Sequence, residues 1–182
     1  MALYQKCIPS DYVTSIFDID YKKLQKQGIK SLFFDLDNTI IAYDETELSK
    51  THLTFFNELK KDFNLVIISN SGYNRVSKAL NKLDVFYVYH SAKPTKIGLK
   101  KALKMVQTKK EETLLIGDQL MTDVLGASRF GISSILVKAV KRKSDRWMTR
   151  INRRLEKSVL RKIMRKEPVL YQERLSKYVE GA

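Results

Sequence analysis

The chain is 182 residues long, 43% hydrophobic, with a formal net charge of +14 and a single cysteine, Cys7. That length supports one domain with appendages, and the composition excludes wholesale disorder and a disulfide-stapled scaffold. No apolar stretch approaches the roughly 20 residues that cross a bilayer, and "MALYQKCIPSDY" lacks a basic segment followed by an apolar run, so no signal peptide is read and the cytoplasm is the expected location.

In chain order, the first predicted element is a short helix entered at Asp20, a residue type favoured at helix starts, and closed at Gly28. Four apolar runs of strand length follow: "SLFFDL" (31–36), "NLVIIS" (64–69), "TLLIGD" (113–118) and "SSILVK" (133–138). A fifth, "DVFYVYH" (84–90), is aromatic and β-branched. Helix-period segments separate them: Leu53, Phe56, Leu59 and Phe63 in one, "SGYNRVSKAL" in the next, and Leu99, Leu103 and Val106 in a third. Strands alternating with helices indicate an α/β protein with a parallel sheet covered on both faces. The body is expected to span residues 1–137, with the segment 1–27 packing on it and a basic helical tail over 138–182.

In open α/β sheets, ligands bind beyond the carboxyl ends of the strands. The first strand here ends in Asp35-Leu36-Asp37, the second in Ser69-Asn70-Ser71, and the fourth predicted run in Gly117-Asp118 with Asp123 five residues on. "SAKP" places Lys93 after the aromatic run. Carboxylates crowded at one rim repel each other unless a cation or a reaction uses them. Asp35, Asp37, Asp118 and Asp123 make an oxygen-rich set suited to a hard cation, with Mg²⁺ the usual choice beside phosphate. A carboxylate also attacks phosphorus to form an aspartyl-phosphate. Lys93 and the cation would neutralise the transferring phosphoryl group. Ser69 and the backbone after it, at Asn70, would receive the phosphate at a helix start, and Asp37 would serve as general acid and base. An EF-hand reading of "DLDNT" fails, because Thr39 and Ile40 stand where that loop needs Asp/Asn and Gly. Singly, Ser69 and Asp118 read equally well as helix caps.

Together, "FFDLDNTI", "VIISNS", "SAKPTK" and "IGDQLMTDVLGA" resemble the four motifs of the haloacid dehalogenase (HAD) superfamily of phosphatases, over about residues 28–137. The resemblance implies a Rossmann-like fold, with Asp35 as nucleophile, Asp37 as general acid/base, Ser69 as phosphate binder and Lys93 as charge stabiliser. It further implies Asp118 as metal-ligating acid, with Asp123 as a ligand or its support. "PSDYVTSIFDID", "GIKSLFFDLDNTI" and "GDQLMTDVLGASRFG" also resemble the YqeG-type phosphatases and the related phosphatidylglycerophosphate phosphatases.

Only 29 residues (40–68) separate the first motif from Ser69, and 23 (70–92) separate Ser69 from Lys93. Ordinary helices and a strand use these up, so no cap domain is expected and the site should stay open to a bulky substrate. Residues 138–182 carry fifteen Lys/Arg against five Asp/Glu, a net +10 of the total. From Arg146 to Arg161, Trp147, Met148, Ile151, Leu155 and Val159 share one side of a helical wheel, with Arg146, Arg150, Arg153, Arg154, Lys157 and Arg161 on the other. A basic amphipathic helix with a Trp reads as a peripheral membrane segment, here over 146–166. It reads also as a clamp on RNA, or as a helix packed on the body. The expected function is thus a Mg²⁺-dependent phosphomonoesterase acting on an anionic phospholipid such as phosphatidylglycerophosphate at the inner face of the membrane. A phosphatase of nucleic-acid ends or phosphoproteins, and a non-catalytic RNA- or ribosome-binding protein, are the alternatives.

Overall fold

A computed structural model describes residues 1–141 and 147–180; for 147–151 it describes the backbone alone. Its centre is the apolar run that ends at the paired aspartates. Ser31–Phe34 forms strand β2, buried throughout. Side chains alternate across a strand, and here both faces are apolar: Leu32 and Phe34 enter one core, Phe33 the other. The same division holds in β3 (Asn64–Ile68) and β5 (Thr113–Gly117): Leu65, Ile67, Leu114 and Ile116 join the first core, and Val66, Ile68 and Leu115 the second. Continuous hydrophobic runs of this kind suit a parallel sheet covered on both faces.

Six strands make that sheet, in the order β1-β6-β5-β2-β3-β4, all parallel. The edges are β1 (Asp11–Val13) and β4 (Phe86–Val88), and β6 is Ser133–Val137. The sequence shows the other five; β1, three residues without apolar alternation, is added by its pairing with Ile135, Leu136 and Val137. Helices α1 (Tyr21–Lys26), α2 (Lys50–Leu59) and α3 (Tyr73–Ala79) cover the first face through Leu24, Phe56, Leu59, Val76 and Ala79. Helices α4 (Ile97–Val106) and α5 (Leu125–Phe130) cover the second through Leu99, Ala102, Ala127 and Phe130. Their starts obey local rules: the Asp20 carboxylate accepts from Lys23 N at 2.9 Å, and Ser49 Oγ from His52 N at 3.3 Å.

Between β2 and β3 lie α2 and its loops, and between β3 and Lys93 lie α3 and β4. No inserted domain interrupts either connection. The sequence closes with α6 (Trp147–Lys166), α7 (Pro168–Arg174) and α8 (Ser176–Glu180). Pro168 cannot continue α6 and instead opens α7. Ile163, Leu175 and Tyr178 are buried with Cys7, Leu120, Val124, Leu125 and Leu136, making a third core between these helices and the body. Of the expected surface helix, Arg146 and the side chains of Trp147, Met148, Arg150 and Ile151 lie outside the described residues. Leu155 is half exposed, while Val159 packs onto the third core.

Candidate active site

Neighbouring strands β3 and β5 leave β2 on opposite sides, and the chain's connections diverge there. At such a switch point the strand ends gape. The resulting cleft, of about 410 Å³, is lined by Asp35, Asp37, Asn38, Tyr43, Asn70, Ser71, Lys93, Pro94, Gln119, Thr122 and Asn152. Asp35 extends β2, its amide donating to Ile116 O at 2.9 Å.

Lys93 is the hub. Its Nζ lies 2.6 Å from Asp35 Oδ1 and 2.7 Å from Asp123 Oδ1, and donates to Ile68 O at 2.9 Å. All three charged groups are buried. Burial works against the ammonium, but Asp123 and Asp35 outweigh it and push the Lys93 pKa above the ordinary lysine value. Burial pushes Asp35 well above the carboxylate range; Lys93 opposes this, while Asp123, Asp118 and Asp37 add to it. Burial also pushes Asp118 up to about 7 against the pull of Arg153. Thr39 Oγ1 lies 3.1 Å from Asp35 Oδ2 and 3.3 Å from Asp118 Oδ1, tying the two acids together.

Asp123 approaches over a glycine. A Cβ on Gly117 would stand 2.3 Å from Asp123 Cγ, so only glycine admits the carboxylate here. Asp123 reaches that place on a π-helical turn, Leu120–Val124, and its Oδ2 accepts from Gln119 N at 3.2 Å.

Asp35, Asp118 and Asp123 each offer an oxygen within 4.8 Å of the others. Three of the four expected metal ligands are therefore together. The Asp37 side chain stands apart, because other groups claim it: Arg75 Nε and Nη2 reach its Oδ1 at 3.1 and 3.0 Å, and Ser69 and Ser71 hydroxyls donate to Oδ2 at 3.0 and 2.7 Å. Ser69 is fully buried and faces Asp37, whereas Ser71 lines the cleft. Asn70 lines it too, but its side chain holds the lysine loop: Oδ1 accepts from Lys93 N at 2.8 Å and Ser91 Oγ at 2.7 Å, and Nδ2 donates to Lys93 O at 3.0 Å.

Two cations were not legible as site residues. Arg75 sits in the first turn of α3, where sequence gives no sign that it turns toward Asp37; its guanidinium also lies 5.6 Å from the Tyr43 ring centre. Arg153, expected on the solvent side of the basic helix, instead points inward, its Nη2 2.6 Å from Asp118 Oδ2. A helical wheel cannot reveal this, because the face of α6 toward the strand ends is polar: Asn152 lines the cleft and Glu156 is buried. Asp35, Asp37, Asp118, Asp123 and Glu156 face Lys93, Arg75 and Arg153. With all five carboxylates ionised they would exceed the three cations by two charges, which one divalent cation would neutralise.

Sheet topology and strand-end acids define the class, a hydrolase of the HAD type. A HAD-hydrolase-like family model matches residues 90–155. The chain is 34% identical over 167 residues to the probable phosphatase YqeG of Bacillus subtilis strain 168, spanning 91% of this chain and 96% of that one. It belongs to this family of HAD-type phosphatases. It is also 25% identical over 172 residues to phosphatidylglycerophosphate phosphatase 1, chloroplastic/mitochondrial, of Arabidopsis thaliana, covering 89% of this chain and 49% of that protein. Among solved structures, the magnesium complex of a HAD family enzyme from Bacteroides thetaiotaomicron matches 64% of this chain and 97% of its own, with a TM-score of 0.52 and 16% identity. That last likeness speaks for the fold.

Proposed function

We propose that this phosphatase hydrolyses phosphomonoesters through an aspartyl-phosphate on Asp35, with Mg²⁺ held by Asp35, Asp118 and Asp123. The observation that carries the reading is Asp35 itself: a buried carboxylate at the cleft floor, 2.6 Å from a buried ammonium and ringed by further acids. The residues fit the cation, since without one burial leaves Asp35 and Asp118 reluctant to ionise, and once all are ionised the acids exceed the cations by the two charges that Mg²⁺ carries. When bound, Mg²⁺ would supply electrostatic stabilisation of the phosphoryl oxygens.

The protein's own groups supply the rest. Asp35 attacks phosphorus as the bond to the leaving oxygen breaks, and Asp37 gives that oxygen its proton. Asp37 then takes a proton from water, which attacks the aspartyl-phosphate and releases inorganic phosphate. Lys93 offsets charge on the transferring group. The Ser69–Ser71 segment receives the phosphate, with Asn70 fixing the lysine loop and Arg75 holding the Asp37 carboxylate at the cleft.

For substrate we infer an anionic phospholipid monoester of the phosphatidylglycerophosphate type. Three observations support this: short motif connections with no inserted domain, a net +10 after Val137, and similarity to an enzyme named for that lipid. Among the described residues no helix is long and apolar enough to cross a membrane, so contact with lipid would be peripheral, at a cytoplasmic membrane face. The test is phosphate release from phosphatidylglycerophosphate in mixed micelles, phosphorylated oligonucleotides and sugar phosphates, side by side. The lipid should be the preferred substrate; faster release from oligonucleotide ends would transfer the reading to nucleic acid.

A further inference from the structure

We propose that Arg153, on α6, is a positioning residue of the active site, fixing the Asp118 carboxylate for the divalent cation. This rests on the metal-dependent reading above and adds to it a part of the chain that the strand-end motifs do not include.

The geometry is a closed circuit. Asp118 is fully buried at the end of β5. Its Oδ1 lies beside Thr39, on the side of Asp35, and its Oδ2 meets Arg153 Nη2 at 2.6 Å. Arg153 is itself held from behind: Nη1 reaches the Tyr178 hydroxyl at 3.4 Å and Glu156 Oε2 at 3.8 Å. Tyr178, on α8, donates to Glu156 Oε2 at 3.0 Å. Glu156 Oε1 closes the circuit by accepting from Leu120 N at 2.8 Å, two residues beyond Asp118. Two tail helices are thereby fastened to the acid and to the loop that carries Asp123.

A guanidinium suits this task because its planar nitrogens donate in different directions at once. One nitrogen occupies one carboxylate oxygen and leaves the other to a cation, while the second is anchored away from the cleft. Without that partner only the 3.3 Å contact from Thr39, among the described residues, holds the Asp118 carboxylate, which can then turn away from the oxygens of Asp35 and Asp123. A second account of the same contact predicts the opposite sign: were Arg153 a counter-ion competing for Asp118, its removal would tighten cation binding.

Isothermal titration of the full-length protein with Mg²⁺, without substrate, separates the two. Arg153→Met should raise the dissociation constant about 10- to 100-fold, the range seen when a group orienting a metal ligand is lost. Arg153→Lys, which keeps the charge and one donor, should fall between. Cys7 lies under the tail in the third core, so its slow reaction with a thiol reagent reports that the tail stays docked. If Arg153→Met undocks the tail, Arg153→Lys decides: a raised constant with Cys7 protected supports the proposal. A variant that binds Mg²⁺ as tightly as wild type, or more tightly, overturns it and leaves the metal reading standing. A wild-type protein that binds no Mg²⁺ overturns both.

Discussion

Asp35 and Asp37 are two residues apart yet meet different surroundings. Lys93 and the other acids enclose Asp35, while Arg75 and two serine hydroxyls enclose Asp37. Such a division lets one carboxylate attack while the other handles protons. Asp37→Asn should therefore retain phosphate binding but lower turnover on the order of 10²- to 10⁴-fold, measured with an aryl phosphate. Gly117 gives a sharper structural prediction. The clash a Cβ makes with Asp123 cannot be relieved by a flexible chain end, because Asp123 is held at both oxygens. Gly117→Ala should lose about 1–3 kcal/mol in urea denaturation and bind Mg²⁺ more weakly. Asp35 and Asp118 were legible because they stand at predicted strand ends where no core needs a charge, and Lys93 and Asp123 because they follow such ends by three and five residues. Arg75 and Arg153 were not, because nothing local distinguishes an arginine that turns inward from one that faces water.

Among the elements, β2, β3, β5 and β6 announce themselves as apolar runs, and their burial on both faces explains why. The edge strand β1 is three residues long and exists only through its partner β6, so no local pattern could reveal it. The tail helices show the same dependence on context. Their sequence reads as a basic surface helix, while Ile163, Leu175 and Tyr178 seal a core over Cys7. Ile163→Ala should accordingly cost about 2–5 kcal/mol in stability, although residue 163 lies well outside the α/β body. Cys7 gives a pH signature of the same packing. Burial, and then Glu156, push its thiol from 9.0 up to about 11. The unfolded thiol ionises first, so folding draws stability from the neutral thiol below about pH 9 and loses it as pH rises to about 11. Denaturation curves for wild type should decline across that window more steeply than those for Cys7→Ala; equal slopes would mean the thiol is not held in the core.

At the scale of the whole molecule, an α/β body presents an open acidic cleft while the chain's excess positive charge lies in its last quarter. Anionic lipid attracts basic side chains near its surface by about 1 kcal/mol each, a force that salt screens. The protein should sediment with phosphatidylglycerol vesicles at low salt and be released at high salt; indifference to anionic vesicles would remove the membrane from the account. Underneath that question lies the chemistry at Asp35, and one measurement addresses it most directly. Wild-type protein is mixed with Mg²⁺ and a ³²P-labelled phosphomonoester, quenched in acid during turnover, and digested for peptide mapping. Hydroxylamine-sensitive label should appear on the peptide containing Asp35 and be absent from Asp35→Asn, which should remain folded and inactive. Full turnover by Asp35→Asn, or hydrolysis by wild type with no label at Asp35, would contradict an aspartyl-phosphate there.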